Sequence, residues 1–217
     1  MTQQQAFIID AVRSPRGRGN DKGALKGIKP VDLLAQQLAA LQERTGVNTS
    51  EASDGIFGCV TQTADQGSNI GKLALVRAGW SDAVSGMTIN RYCASGLSAV
   101  QFASFQALAN DGVAVAGGVE MMSRVPMASD KGPLTHDLEF QRQTTLVPIG
   151  IAADAIATME GFTREQCDAY ALESQRRAVA ARDEGRFRSV VPVKGEGGEV
   201  VLAQDETPRA STTLQSL

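Results

Sequence analysis

Cys93 is the residue of this chain best placed for covalent chemistry. A short β-type run, residues 84–90, leads towards it, and a run of small, helix-forming residues follows it. This order predicts a thiol on the first turn of a helix, where unpaired backbone N–H groups and the helix dipole favour negative charge. The thiolate is the nucleophilic form of cysteine. The pattern therefore predicts a cysteine nucleophile at a strand-to-helix turn, suited to thioester or acyl chemistry.

The alternative for Cys93 is a small apolar filler, because free cysteines are among the most buried residue types. The neighbouring residues favour the nucleophile. Ala94, Ser95 and Gly96 allow a ligand or another backbone segment to approach the start of the helix closely. A structural cysteine does not need that clearance.

Composition narrows the class of protein. The chain has 217 residues, 21 basic and 24 acidic, and its net charge of −3 argues against nucleic acid as an obligate partner. Three cysteines without disulfide or zinc spacing predict a reducing compartment and no metal site. Residues 1–5 carry no charged leader, and no run reaches the roughly 18 apolar residues of a membrane span. The sequence thus predicts a cytoplasmic protein that does not enter a membrane.

The other candidate groups receive structural interpretations. Cys59 follows a predicted strand and Cys167 lies on a predicted helix, and both are interpreted as packing residues. His136, the only histidine, falls in an irregular stretch and is interpreted as an exposed polar residue. Neither a Walker-type loop nor a Gly-x-Ser-x-Gly elbow is present.

The first part of the chain predicts an α/β fold with a largely parallel sheet, because strand and helix patterns alternate. The apolar run at residues 97–109 predicts a helix that is buried all round. The predicted strands are residues 7–12, 55–58, 84–90 and 113–118, and predicted helices begin at Pro30, Asn69 and Leu97.

The pattern changes after residue 118, which divides the chain into predicted domains 1–118 and 119–217. Residues 121–147 show no clear period and predict a loop. A short helix is predicted at residues 149–159. Thr163 and Gln166 have capping-box spacing, which predicts a longer helix that ends at Gly185. A small β-pair is expected around the glycine-rich residues 195–198.

Five segments of the chain resemble, in order, segments of the thiolase family. The Asn-Arg-x-Cys-x-Ser-Gly-Leu pattern at residues 90–97 resembles the segment that carries the acylated cysteine, and the Gly-Gly-x-Glu-x-Met-Ser pattern at residues 117–123 resembles the exit from the central sheet. The other three similar segments are residues 58–62 with 66–69, 162–175, and 205–214.

The resemblance implies a thiolase-like fold of two similar α/β halves, each with a five-stranded mixed sheet. A loop domain inserted in the N-terminal half would cover coenzyme A. The implied reaction is acyl transfer: the Cys93 thiolate attacks a 3-ketoacyl-CoA or acetyl-CoA thioester, and a second coenzyme A or acetyl-CoA takes the acyl group. Coenzyme A is thus a substrate, and no other cofactor is implied.

The resemblance also assigns coenzyme A contacts by position. Arg209 and Ser216 match loop-domain positions that contact the nucleotide end. Pro148 and Ile149 match positions that line the pantetheine channel, where many relatives have His-Met in place of Pro148-Ile149. A guanidinium such as that of Arg209 suits phosphate and ring stacking.

The matched segments correspond to the N-terminal half and loop domain only. In the family, the second half supplies the histidine that activates the first cysteine and a second cysteine that acts as acid and base. The resemblance therefore implies that another polypeptide completes the chain in a homo- or hetero-oligomer, and that the chain alone is inactive. It also predicts an exposed apolar face that the second half would cover.

Two other functions remain open. The chain could be a non-catalytic thiolase-like fragment that binds acyl-CoA or a partner protein. It could also be a condensing enzyme of the ketoacyl-synthase type, which shares the cysteine and the fold. The Asn-Arg-x-Cys and Gly-Gly-x-Glu-x-Met-Ser patterns favour thiolase over the synthase.

Overall fold

The computed structural model describes residues 5–110, 112–144 and 146–217. Part of the N-terminal segment examined for a leader, residues 1–4, lies outside the described residues. The chain forms two units: the first comprises the described residues up to Asp130 together with Ser189–Glu206, and the second comprises Lys131–Arg188 with Thr207–Leu217.

The first unit is built on a three-stranded parallel sheet with strand order β2-β1-β3. At the end of β1, Gly58 pairs with Ile89 of β2 on one side and with Gly118 of β3 on the other. The carboxyl ends of all three strands therefore lie at one edge. The elements are α1 (Pro30–Thr45), β1 (Ala52–Gly58), α2 (Ile70–Arg77), β2 (Ser85–Ile89), α3 (Ser95–Asn110), β3 (Val113–Gly118), and the antiparallel pair β4 (Val193–Lys194) and β5 (Val200–Leu202). The predicted parallel α/β sheet and the β-pair are confirmed.

Helices cover both faces of β1, and this explains its near-complete burial. Alternate side chains of a strand point to opposite faces. Phe57 joins a core with residues of α1 and α2, whereas Ile56 packs against Ala99 and Ala103 of α3. Burying a side chain such as Phe57 contributes about 1.5–3 kcal/mol. The middle strand is thus the best-anchored element of the unit.

Helix α3 is covered on one side only, so the prediction of all-round burial is wrong. Ser98, Ala99 and Ala103 are buried against the sheet, but Leu97 is 75% exposed and Phe105 is 53% exposed. The small residues pack on the strands because they allow close approach of the helix. The larger apolar residues of α3 lie on the side away from the parallel sheet.

The predicted strand at residues 7–12 is also wrong. Phe7, Ile8 and Ile9 are 74–79% exposed and belong to no strand. Backbone pairing begins only at Arg13, whose N–H donates to the Ser189 carbonyl. A β-type sequence forms a strand only beside a free edge, and no described segment pairs with residues 7–12. The larger of the two sheets in the described residues consequently has three parallel strands, where the resemblance implied five in a mixed sheet.

The second unit is helical. It contains α4 (Pro133–His136), α5 (Leu138–Gln143), α6 (Ile149–Glu160) and α7 (Arg164–Asp183). The predicted capping box of α7 is confirmed, since Thr163 and Gln166 each bond the other's backbone. The interpretation of residues 121–147 as loop overlooked α4 and α5. Asp137 caps α5 by accepting from two backbone N–H groups, so a local signal was present.

The sequence-based division after residue 118 coincides with the end of β3. In the structure, the first unit extends beyond β3 to Asp130, because Val119, Met121 and Val125 are buried in it. The β4–β5 pair also belongs to the first unit, with Val193 fully buried in its core.

Candidate active site

Cys93 lies at the carboxyl edge of the sheet, between the end of β2 and the start of α3, and it is exposed. The chain passes from β1 to β2 on one side of it in the sheet, and then crosses back to β3 on the other side. The direction of the strand order therefore reverses at β1. In open α/β sheets, ligands bind outside the carboxyl ends of the strands at such a reversal. The thiol therefore lies where this fold places ligands.

The turn that carries Cys93 is held in an unusual backbone conformation. Tyr92 has φ of 49°, in the left-handed region that non-glycine residues rarely adopt. Its N–H donates to Asn90 Oδ1 at 2.8 Å, and its carbonyl accepts from Ser95 Oγ at 2.6 Å. The same Ser95 Oγ accepts from the Arg91 N–H at 2.8 Å. Such a conformation costs about 1–3 kcal/mol and persists only when its surroundings hold it.

A close approach between the end of β1 and the start of α3 fixes where the turn lies. A Cβ on Gly58 would lie 2.6 Å from the Ser95 carbonyl carbon and 2.7 Å from the Gly96 nitrogen. A Cβ on Gly118 would lie 2.8 Å from the Gly58 oxygen. At Gly96 the nearest atom would be the Gly117 oxygen, 4.0 Å away. The backbone clearance expected at Gly96 is therefore required at Gly58 instead, whereas Gly96 has room for a Cβ.

A network of side-chain hydrogen bonds joins the ends of β1 and β3. Glu120 accepts from the Val60 N–H at 2.7 Å and from Gln66 Nε2 at 2.9 Å. Gln66 is fully buried; its Nε2 also donates to the Thr61 carbonyl, and its Oε1 accepts from the Met121 N–H. These bonds satisfy the buried amide of Gln66 and hold the two loops that follow β1 and β3.

The three cysteines differ in environment. Burial, reinforced by the nearby charge of Glu120, raises the pKa of Cys59 to about 12. Cys59 therefore stays a neutral thiol, and its interpretation as a packing residue is confirmed. Cys167 is exposed on α7, so its interpretation as a packing residue is wrong. Cys93 differs from Cys167 in its place at the carboxyl edge of a sheet.

The four positions assigned to coenzyme A lie in two segments of the second unit, at the start of α6 and in the C-terminal residues. Pro148 precedes α6, and Ile149 is its exposed first residue. Pro148 offers no side-chain polar group to a ligand. Arg209 is exposed, and no hydrogen bond or ion pair to its guanidinium is found among the described residues. The Ser216 hydroxyl already donates to the Thr213 carbonyl and accepts from its N–H.

Arg209 and Ser216 are anchored at separate places along α7. The Arg209 N–H donates to Gln175, whereas Leu217, beside Ser216, accepts from Arg164. Gln175 and Arg164 are 11 residues apart, which corresponds to about 16 Å along a helix. The residues that anchor Arg209 and the neighbour of Ser216 are therefore spaced along α7.

His136 is exposed at the end of α4, as expected, with its Nδ1 2.6 Å from the Thr135 hydroxyl. Among the described residues, no helix is both long and apolar enough to cross a membrane.

The sequence motifs contain Asn90, Glu120 and Gln66 without indicating a role for them, and they predict for Ser95 only clearance at the start of the helix. The left-handed backbone of Tyr92 was not anticipated at all. Nothing in the type of an aromatic residue indicates a positive φ, so only the surrounding bonds could reveal it.

Together these features define an α/β protein with a reachable cysteine on a constrained strand-to-helix turn. Comparisons with known proteins name the family. A family model described as "Thiolase, N-terminal domain" matches residues 6–217. The chain belongs to the thiolase family.

Individual relatives agree. A β-ketoadipyl-CoA thiolase of Pseudomonas aeruginosa is 37% identical over 236 residues, which cover 99% of this chain and 58% of the relative. A 3-ketoacyl-CoA thiolase of Acinetobacter baumannii is 34% identical over 223 residues, covering 100% of this chain and 56% of the relative. The crystal structure of Bacillus anthracis acetyl-CoA acetyltransferase has a TM-score of 0.81 at 34% identity, and the match covers 97% of this chain and 57% of that one. The chain thus spans a little over half the length of these proteins.

Proposed function

We propose that this chain is the nucleophile-bearing part of an acyl-CoA acyltransferase in which Cys93 carries the acyl group. The observation that carries the proposal is an exposed cysteine on a constrained turn at the carboxyl edge of the sheet, in a chain of the thiolase family. The relatives named above are thiolases and an acetyl-CoA acetyltransferase.

In the proposed reaction, the Cys93 sulfur attacks the thioester carbonyl carbon of acetyl-CoA or the C3 carbonyl carbon of a 3-ketoacyl-CoA. With a 3-ketoacyl-CoA, a new S–C bond forms at C3, the C2–C3 bond breaks, and C2 of the departing acetyl-CoA takes up a proton. With acetyl-CoA, a new S–C bond forms, the bond to the coenzyme A sulfur breaks, and the departing thiolate takes up a proton. The acyl group then passes to a second coenzyme A or acetyl-CoA. The developing oxyanion needs N–H donors, and the backbone N–H of Cys93 is one candidate.

The attack also needs a base to remove the thiol proton. Among the described residues, none hydrogen-bonds to the Cys93 thiol. We therefore assign the base, and the acid for the leaving group, to the part of a thiolase that lies outside this match, whether on the same polypeptide or on another. This chain alone would then be inactive.

An exposed apolar surface on α3 supports the need for a covering element. Its most exposed members are Leu97 and Phe105, while Val100 and Phe102 are less exposed and lie at its two margins. Soluble proteins rarely leave large apolar side chains clustered in water unless the surface is an interface. The remaining part of the thiolase would cover this surface in the active oligomer.

Coenzyme A would be a substrate held by the second unit. Arg209 would pair with its phosphates, since its guanidinium is exposed and has no partner among the described residues. Ile149 would provide an apolar contact for the pantetheine arm. Ser216 would have to share a hydroxyl that its own turn already uses.

The test is acetylation of Cys93. The chain is mixed with the separately expressed C-terminal part of a related thiolase and incubated with acetyl-CoA, and peptide mass spectrometry locates any acetyl group. We expect an adduct on Cys93 that disappears in Cys93→Ala and persists in the matched control Cys167→Ala, which removes the other exposed cysteine. Equal labelling of Cys93 and Cys167 would contradict the proposal. Binding of acetyl-CoA without an adduct would favour the non-catalytic alternative.

A further inference from the structure

We infer that Asn90 and Ser95 are positioning residues that hold the backbone of Tyr92, and with it the Cys93 sulfur, in the geometry needed for acyl transfer. A hydrogen-bonded pair, the buried Gln66 and the exposed Glu120, anchors them to the sheet. The inference rests on the proposed function for its catalytic consequence, but the hydrogen bonds on which it depends are independent of that function.

Asn90 joins the turn to the end of β1. Its Nδ2 donates to the Val60 carbonyl at 3.2 Å, while its Oδ1 accepts from the Tyr92 N–H at 2.8 Å. Both bonds require the same orientation of the amide, because exchanging its oxygen and nitrogen would lose both. Asn90 is exposed, so its side chain contributes little to the core. Its contacts are therefore directed at the turn.

Ser95 closes the turn from the other side. Its hydroxyl accepts from the Arg91 N–H at 2.8 Å and donates to the Tyr92 carbonyl at 2.6 Å, and its own N–H also donates to that carbonyl at 3.0 Å. Side chains on both sides thus bind the N–H and the carbonyl of Tyr92. This arrangement accounts for a left-handed aromatic residue directly before Cys93.

The anchor lies one step further from Cys93. Val60, whose carbonyl accepts from Asn90, donates its N–H to Glu120 Oε2 at 2.7 Å. Glu120 in turn accepts from Gln66, which is fully buried. The described bonds form one continuous chain from Gln66 to Tyr92. We expect Glu120→Gln to weaken this chain less than removal of Asn90, because one acceptor oxygen remains.

Ser104 supplies a matched control on the same helix. Its hydroxyl donates to the Gln101 carbonyl at 2.7 Å, three residues earlier, just as Ser95 donates to Tyr92. Ser104→Ala removes a bond of the same type far from the turn. A general effect of losing a serine hydroxyl on α3 would therefore appear in both variants.

The first measurement is amide hydrogen exchange of the 217-residue chain. In Asn90→Ala and Ser95→Ala we expect faster exchange at Arg91 and Tyr92, with β1 and β3 unchanged. Ser104→Ala should leave exchange at the turn unchanged. Unaltered exchange at Arg91 and Tyr92 in both turn variants would overturn the inference, because those side chains would then not hold the turn.

The second measurement is Cys93 acetylation in the complemented assembly. We expect the maximal rate to fall by about tenfold or more in Asn90→Ala and Ser95→Ala, because a small misplacement of a reacting atom is costly. The acetyl-CoA concentration at half-maximal rate should change by less than about twofold, since coenzyme A contacts remain. Alkylation of Cys93 by iodoacetamide needs a reachable thiolate but no alignment with a bound thioester, so its rate should stay within the same limit.

The two proposals fail in different ways. If the unsubstituted chain is acetylated and the turn variants acetylate equally fast, the positioning role is wrong and the proposed function stands. If the unsubstituted chain is never acetylated, the proposed function fails, and the exchange data alone decide whether Asn90 and Ser95 hold the turn.

Discussion

The two units of this chain differ in how they are stabilised. The first has a core in which Phe57, Ile56 and Leu75 are almost completely buried. In the second, none of the described residues is buried, and apolar side chains such as Ile149 and Met159 are mostly exposed. Helices form in both, so helix formation by itself does not indicate a packed core.

Each helix of the second unit is instead stabilised by local interactions. The capping box at Thr163, the Asp137 cap, and ion pairs between neighbours such as Glu173 and Arg177 all act within one or two helical turns. Exposed ion pairs contribute little to stability. The comparison teaches that the site on the first unit is rigidly supported, whereas the second unit has helices whose apolar surfaces lack a partner within the described unit.

The largest expected effect is a difference in local stability. We predict that amides of β1 exchange at least about 100-fold more slowly than those of α6, or about 2.7 kcal/mol in opening free energy, because α6 buries no side chain. Hydrogen exchange with mass spectrometry, corrected for intrinsic rates, measures it. Equal protection of β1 and α6 would show that the two units do not differ in local stability.

A pair of glycine substitutions should separate two positions of the site. Gly58→Ala should lower the free energy of unfolding by about 1–3 kcal/mol, because the new Cβ meets the backbone of α3. Gly96→Ala should leave it unchanged or raise it by up to about 1 kcal/mol, since space is available and alanine favours helix. Urea unfolding compares the two, and equal losses would show that the close approach at Gly58 is absent.

An ion pair of the first unit should make its stability depend on pH. The Arg13 guanidinium, 2.7 Å from Asp205, lowers the pKa of that carboxyl. A lowered pKa in the folded state stabilises the fold above the unfolded value of about 4, and this contribution is lost as pH falls further. Asp205→Asn should cost about 1–3 kcal/mol at pH 7. It should also flatten the dependence of unfolding free energy on pH between about 5 and 3.

The control for this prediction is the exposed Asp82, whose replacement by Asn should change neither quantity. Glu206, which accepts from the Arg18 and Ala24 N–H groups, also has a lowered pKa. Its contribution therefore remains in Asp205→Asn. A variant with the full pH dependence of the parent would contradict the role given to Asp205.

The smallest effect should appear in the second unit. Thr163→Ala removes the capping box and should lower the local stability of α7 by about 1 kcal/mol. The loss should appear as faster exchange in the first turn of α7, without any change in β1. Thr158→Ala is the control, because its hydroxyl bonds the Asp154 carbonyl within α6. Loss of protection throughout the first unit would show that the two units unfold together.

Some of these features could be predicted because their causes are local. The capping box at Thr163, the end of α7 before Gly185, and the alternation of strands and helices on either side of β1 each depend on residues within a few positions of one another. Cys93 was also recognised from its immediate neighbours. The pattern at residues 7–12 misled for the opposite reason: its apolar residues predict a strand, but a strand depends on an edge supplied by another segment.

By itself, then, the sequence determined the alternation of helices and strands from α1 to β3, the nucleophile candidate and the family, since each depends on nearby residue types or on motif order. Only the tertiary structure decided that Tyr92 adopts a left-handed backbone, that Gly58 must lack a side chain, and that α3 is covered on one side. The physical reason is that these features depend on atoms brought together from distant positions, where a hydrogen bond or a steric contact selects a conformation that no residue prefers alone.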